Sequence, residues 1–378
     1  MHGSNLLLAG AGHAHLDVIA GIGKTLGKGH SVTVVSPGEK HYYSGMGPGM
    51  LAGVYRPEQI RFPVRRMVES RGATFITDRV VSIDAPVRCV ILESGRRLLY
   101  DVLSCNVGSG VSQKIPVVFG KDVFSVKPIE NLYAARQRIL AMAAGKRVRV
   151  GVCGGGPAGV EIAGNALAAG AGKKGAGCRV QLFSAGPILK GMPEKVRRLA
   201  IKHLAAKGVE IVSGRAVLSV ESEESGESGE SGAVRLENGE VYPQDIVLLA
   251  TGVHPPGLFS ASGLKVGTDG GLLVNRFLQS PDHPEIFGGG DCISFAPHPL
   301  AKVGVYPVRQ GPVLLANLRA RLNGGRLLSF DPGGGYLVVL NLGGGYGIFS
   351  KGPLHFGGKT AFVIKDFIDK KFMRKYRQ

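Results

Sequence analysis

Two glycine clusters are the residues best placed to do chemistry. Gly10-Ala-Gly12-His-Ala-His15 and Gly154-Gly-Gly156-Pro-Ala-Gly159 each follow a short apolar run and precede small and apolar residues at helical spacing. Such a turn binds phosphate for three reasons. Its first glycine allows the tight turn, its second lets backbone approach a pyrophosphate, and its third lets helix and strand pack closely. The helix N-terminus adds free N–H groups and a positive dipole. The second cluster is complete, whereas the first has His15 where the third glycine would stand. One such motif is weak evidence; two in the same setting predict a protein that holds two nucleotides.

The acid that should bind each ribose is missing. The second strand of the first unit ends at Ser36-Pro37, with Glu39 slightly beyond; in the second unit Ser184 holds the position, and no acid follows until Glu194. Lys190, Arg197 and Arg198 stand nearby. The usual signal for NAD is therefore absent, and NADH, NADPH and neither all stay open. Gly290-Asp291 follows a later apolar run, and a carboxylate there can accept hydrogen bonds from a polyol such as ribitol. The helix expected next, near Pro307–Gln310, would offer its N-terminus to an anionic reduced flavin. His13 could donate to a pyrophosphate, and His15 packs between helix and strand or faces the cofactor. No zinc or iron spacing is visible.

These residues need strand–turn–helix–strand units to position them. Residues 5–9 and 31–35 read as strands around a helix with Leu16, Ile19, Ala20 and Gly23 on one face. Residues 147–153 and 179–183 repeat the pattern 144 residues on, around a helix with Gly159, Ala163, Ala166 and Gly170 on one face. Further strands are expected at 246–252 and 286–291, and a helix at 307–322 with Pro307 in its first turn. Residues 221–232 are low in complexity and read as a solvated hairpin tip. From about 326 the chain reads as a short hairpin, then a basic helix with Ile364, Phe367, Ile368 and Phe372 on one face. That face either docks on the body or rests on an anionic membrane surface.

Composition agrees. Glycine makes up 59 of 378 residues without a triplet period, and 44% of residues are hydrophobic, so collagen and bulk disorder are excluded. The net charge of +18 favours anionic partners, yet no basic–aromatic motif supports nucleic acid. Five scattered cysteines without a C-x-x-C pair suit a reducing compartment, hence the cytoplasm. No signal peptide or spanning helix is expected, while contact with the inner face of the cell membrane stays open. So does a homodimer.

Taken in order, Gly10-x-Gly12, Val107-Gly108-Ser109, Gly154-Gly-Gly156-Pro-Ala-Gly159-Val-Glu161, Ala250-Thr251-Gly252 and Gly290-Asp291 resemble the pyridine nucleotide–disulfide oxidoreductase superfamily. Within it the chain is similar to type II NADH dehydrogenases and sulfide:quinone oxidoreductases. Leu8-Ala-Gly10-Ala-Gly12-His-Ala-His15, Tyr43-Ser-Gly-Met-Gly-Pro-Gly-Met-Leu-Ala-Gly53, Val126-Lys-Pro-Ile-Glu130, Gly304-Val-Tyr-Pro-Val-Arg-Gln310 and Lys365-Asp-Phe-Ile-Asp-Lys-Lys-Phe-Met373 most narrowly resemble the flavoprotein domain fused to some selenide, water dikinases.

The resemblance implies an α/β fold with two Rossmann-like three-layer domains. FAD would lie in residues 1–112 plus 253–325, a nicotinamide nucleotide in 113–252, and 326–378 would form an extension. It implies cofactor contacts at Gly10, Gly12, His13, Ala14, His15, Ser36, Pro37, Tyr43, Ser44, Gly45, Val80, Gly108, Gly290, Asp291, Val305 and Tyr306, and in the second domain at Gly154, Gly156, Gly159, Ser184 and Gly252. Lys127 and Glu161 are its catalytic candidates; Glu161 is otherwise a helix first-turn acid. No cysteine pair suits a disulfide reductase. Cys153 and Cys292 would have to carry sulfur if the substrate were sulfide or selenide, and each is otherwise a core residue. The expected activity is hydride transfer from NADH or NADPH through flavin to a small acceptor such as a quinone. The alternatives are sulfide or selenide oxidation, and a non-catalytic accessory to selenium metabolism.

Overall fold

The computed structural model describes residues 3–26, 29–111, 115–117, 122–171, 176–223 and 231–377. The fold is α/β, built on two parallel five-stranded sheets. The first runs in the order Ile286–Gly288, Val102–Cys105, Asn5–Ala9, Ser31–Ser36, Thr74–Thr77. The second runs Val123–Ser125, Ile246–Leu249, Val148–Cys153, Cys178–Ser184, Val209–Ser213. Both are all-parallel, with registers such as Leu7 opposite Thr33 and Val152 opposite Leu182. Their strands are apolar runs because both faces are covered: Leu6, Leu7, Leu8, Val148, Val150 and Val152 are buried. In each sheet the chain order reverses beside the strand that leads into a glycine turn. This is where open α/β sheets leave a crevice for a ligand.

The helix Pro157–Gly170 lies close against its sheet because Gly159, Ala163, Ala166 and Gly170 are all buried. In the first unit Leu16 and Ile19 are buried, but Ala20 and Gly23 are exposed, because the helix breaks at Gly21 into Leu16–Ala20 and Ile22–Leu26. The strand expected at 286–291 stops at Gly288, and Gly290–Cys292 forms a 3-10 turn. The long helix runs Val305–Asn323. Strands Val217–Glu223 and Ser231–Leu236 pair antiparallel, and the expected hairpin tip between them lies outside the described residues.

The tail departs from expectation. Three antiparallel strands, not a hairpin, precede the helix: Val338–Asn341, Gly347–Lys351 and Leu354–Gly358. The helix Lys359–Lys375 does dock, through Ala361, Asp369 and Met373 and, of the expected face, through Phe372, whose ring packs on Tyr43 and Phe62. Phe367 is 63% exposed and Val363 54%, so much of the apolar face points outward. Among the described residues no helix is long and apolar enough to cross a membrane.

Candidate functional site

The first turn is built around Gly10. Its φ of +86° is left-handed, and a Cβ there would collide with the Asn106 backbone. Asn106 then joins two loops: its Oδ1 accepts from the His15 N–H at 3.2 Å, and its Nδ2 donates to Gly289 O at 2.7 Å. It thereby ties the phosphate turn to the Gly290-Asp291 turn, a role sequence reasoning missed. Gln310 braces the same place, accepting from Gly290 N at 2.6 Å. His15 is corrected as a cofactor contact. Its Nδ1 lies 2.6 Å from Gly10 O and its Nε2 2.8 Å from Ser104 Oγ, so neither ring nitrogen is left for a ligand. Burial lowers its pKa to about 4. Ala14 is buried and packs beside Gly289.

The second turn repeats the design. Gly154 (φ +132°) lies against Ala250 O, and Gly159 against Gly154 O. Gly156 caps the helix in extended conformation with open space where a side chain would be, and no side chain caps it. Gly108 and Gly252 likewise face open space. Ser184 uses its hydroxyl proton on Gly186 O at 2.7 Å and lies close against Gly155, which leaves its oxygen as an acceptor only. In the first unit Ser36 is buried, Pro37 exposed, and Glu39 pairs with Arg65. Val80 lies on a separate antiparallel sheet, at the start of Val80–Asp84.

Near the first turn the polar candidates converge. Lys127 Nζ donates to Asp291 Oδ2 at 2.7 Å and to Ser109 Oγ at 2.8 Å, and Ser109 donates to the same carboxylate oxygen at 3.0 Å. Val305 and Tyr306 open the helix Val305–Asn323, which has no capping side chain, and Tyr306 shares a pocket with Gly290 and Asp291. His13, directly after Gly12, has its Nε2 sealed from solvent without a partner. Uncapped helix starts, open glycine backbone and an orphaned imidazole nitrogen are what a bound dinucleotide would satisfy, so the residues fit FAD.

A second polar group forms where the C-terminal helix meets the segment after Tyr43. Lys365 donates to Gly45 O at 2.8 Å and to Asp369 Oδ2 at 2.9 Å; Tyr43 donates to Asp369 Oδ1 at 3.1 Å. Ser44 opens the 3-10 turn Ser44–Met46 beside them. Glu161, half-buried on the 157–170 helix, accepts from Asn341 N at 2.7 Å. Burial pushes its carboxyl up to about 7, against the pull of Lys365 and the Asn341 N–H. Burial disfavours the Lys365 ammonium, yet Asp369 and Glu161 outweigh it and hold its pKa above the ordinary value. Burial and Asp369 hold the Tyr43 phenol well above its ordinary range. Lys365 and Asp369 were missed in sequence, where an i, i+4 Lys/Asp pair reads as an exposed helix pair.

The cysteines lie elsewhere. Cys153 sits in a core with Phe183, Val234 and Val247, and burial pushes its thiol up to about 12. Cys292 is fully buried, with its Sγ 3.3 Å from Gly289 O, and burial pushes it up to about 12 as well. Both are protonated at neutral pH and out of reach of a substrate.

Residues 4–311 match the pyridine nucleotide-disulphide oxidoreductase family. The chain is 30% identical over 281 residues to ferroptosis suppressor protein 1 of Xenopus tropicalis, covering 72% of this chain and 70% of that protein. It is 24% identical to a type II NADH:quinone oxidoreductase of Staphylococcus epidermidis, covering 98% of this chain and 95% of that one. In fold it is similar to the sulfide:quinone oxidoreductase of Aquifex aeolicus, with TM-score 0.78, 18% identity, and 99% of this chain and 92% of that one covered. It is also similar to NDH2 of Plasmodium falciparum in complex with NADH, with TM-score 0.77, 13% identity, and 100% and 99% covered. The chain belongs to the pyridine nucleotide-disulphide oxidoreductase family and is an NAD(P)H-dependent enzyme of that class.

Proposed function

We propose that this enzyme passes reducing equivalents from NADH or NADPH through FAD to a quinone. FAD would be held by residues 1–112 and 253–325, and the nicotinamide nucleotide by 113–252. The observation that carries the acceptor half is the polar group Tyr43–Glu161–Lys365–Asp369. It puts a carboxyl that titrates near 7 beside a segment expected to face the flavin. The name of the relative from Staphylococcus epidermidis, a type II NADH:quinone oxidoreductase, supports the same direction.

FAD, when bound, would supply the two-electron redox chemistry between nicotinamide and acceptor. The chain does the rest. Gly10, Gly12 and the helix starts would hold its phosphates; Asp291, steadied by Lys127 and Ser109, would hold its ribityl chain. Of the two protons a quinone takes up on becoming a quinol, one arrives with the nucleotide's hydride; Glu161 carries the other from solvent, and Lys365 keeps the ionised carboxylate tolerable until it is reprotonated. No acid stands between Ser184 and Glu194, so a 2′-phosphate meets no carboxylate in that stretch and the reading takes in NADPH as well as NADH. The outward Val363, Phe367 and Ile368, followed by exposed Lys370, Lys371 and Arg374, suit shallow contact with an anionic membrane that carries the quinone. The buried, protonated cysteines speak against the sulfide route.

The test is an anaerobic assay of the FAD-loaded protein with each nucleotide and a water-soluble ubiquinone. Quinol should form in step with nucleotide oxidation. Electrons reaching ferricyanide but no quinone would remove the acceptor half.

A further inference from the structure

The first phosphate turn carries a histidine pair of which only His13 is among the expected cofactor contacts; nothing so far accounts for His41 or for the proton the two rings share. His41 Nε2 lies 3.0 Å from His13 Nδ1, with the rings edge-on and their centroids 4.5 Å apart. His13 is packed between Tyr43, at 5.4 Å, and Phe372, stacked at 6.1 Å. Its other nitrogen, Nε2, is shut off from water and has no protein partner. Buried polar groups are almost always hydrogen-bonded, and of the few orphans among the described residues His13 Nε2 is the one in a glycine turn of phosphate-binding type. The orphan sits one residue past Gly12, where the turn expects phosphate.

The pair can share its proton in two ways. If His13 donates from Nδ1, its Nε2 presents a lone pair, which repels an anionic ligand. If His41 donates from Nε2, the proton of His13 must sit on Nε2, facing the ligand. Burial lowers the pKa of both rings, and Lys127 adds to the effect, so the pair is neutral and only the tautomer is at issue. An anionic cofactor in the turn selects the second arrangement.

We propose that His13 is a cofactor-binding residue that donates from Nε2 to an oxygen of the FAD phosphate–ribityl chain, and that His41 is the positioning residue that fixes its tautomer. This rests on the FAD reading above.

The test compares wild type with His13→Phe, His13→Gln, His41→Phe, His41→Gln and the double Phe variant, measuring flavin affinity by fluorescence quenching. His13→Phe should weaken FAD by about 10- to 100-fold, the loss of a hydrogen bond to a charged group, and His13→Gln, which keeps an N–H, by less. His41→Phe should weaken it by about 3- to 10-fold, with His41→Gln restoring it. The double variant should match His13→Phe alone, because His41 acts through His13. Riboflavin in place of FAD locates the acceptor: a loss confined to FAD marks the phosphate, and a loss with both marks the ribityl chain. In FAD-loaded wild type, histidine nitrogen NMR should show His13 as the Nε2–H tautomer. An Nδ1–H tautomer, additive losses, or wild-type affinity in His13→Phe would overturn the proposal. Wild type that binds no FAD would instead overturn the cofactor reading beneath it.

Discussion

Replacing Glu161 by Gln tests the proton-carrying role without relying on turnover. The Glu161 carboxyl is raised from 4.5 to about 7, first by burial. A raised carboxyl means that the folded protein holds its proton more tightly than the unfolded chain does. The stability this contributes is full below the unfolded value and is lost as pH rises through about 7. At 1.36 kcal/mol per pH unit, the loss approaches about 3 kcal/mol above pH 8, a ceiling because the side chain is half-buried rather than sealed. Gln cannot ionise, keeps an oxygen for the Asn341 N–H, and is nearly isosteric. Glu161→Gln should therefore match wild type within about 1 kcal/mol at pH 5 and exceed it by about 2–3 kcal/mol at pH 8.5. For a chain of this length that is roughly 3 °C in Tm, readable by scanning fluorimetry across pH 5–9. A stability gap that stays constant across that range would refute the raised carboxyl. In turnover the same variant should lose about 10²-fold or more with quinone while its flavin still bleaches with nucleotide.

Four other substitutions probe the surrounding parts. Lys365→Met leaves Asp369 without its ammonium partner, so stability should fall by about 3–5 kcal/mol in chemical denaturation, and the Glu161 titration should move above 7. Cys153→Ser and Cys292→Ser should each keep quinone reduction within about twofold, because neither thiol ionises near neutral pH; loss of activity in both would revive a sulfur route. Phe367→Ser should weaken co-sedimentation with anionic lipid vesicles by about tenfold or more and leave turnover in solution unchanged, because the residue is 63% exposed.

What could be read from sequence was local. Gly10, Gly12, Gly154, Gly156 and Gly159 announce their turns because a phosphate turn is specified by six consecutive residues between an apolar strand and a small-faced helix. The strands were readable for the same reason, since burial on both faces demands unbroken apolar runs. What escaped was long-range. Asn106 joins two glycine turns at 10–12 and 289–290, and nothing in its neighbours signals this. His41 reaches His13 only because a short strand folds back over the turn. The C-terminal helix misled because its apolar residues suggested the docked face. The body instead offers polar partners there, the Gly45 carbonyl and the Tyr43 hydroxyl, and these draw in Lys365 and Asp369 while Phe367 turns out. Ser184 shows the reverse limit: its position at the strand end was foreseen, but its bond to Gly186 O, which commits its only proton, depends on the turn that follows.

The central claim is that one chain takes electrons from a pyridine nucleotide onto FAD and hands them to a quinone. Its most direct test is the visible spectrum of the purified, FAD-reconstituted protein under anaerobic titration. The account predicts a yellow protein that NADH or NADPH bleaches stoichiometrically and that a quinone then restores. A protein that stays colourless with FAD in excess, or a yellow one that neither nucleotide bleaches, would contradict it.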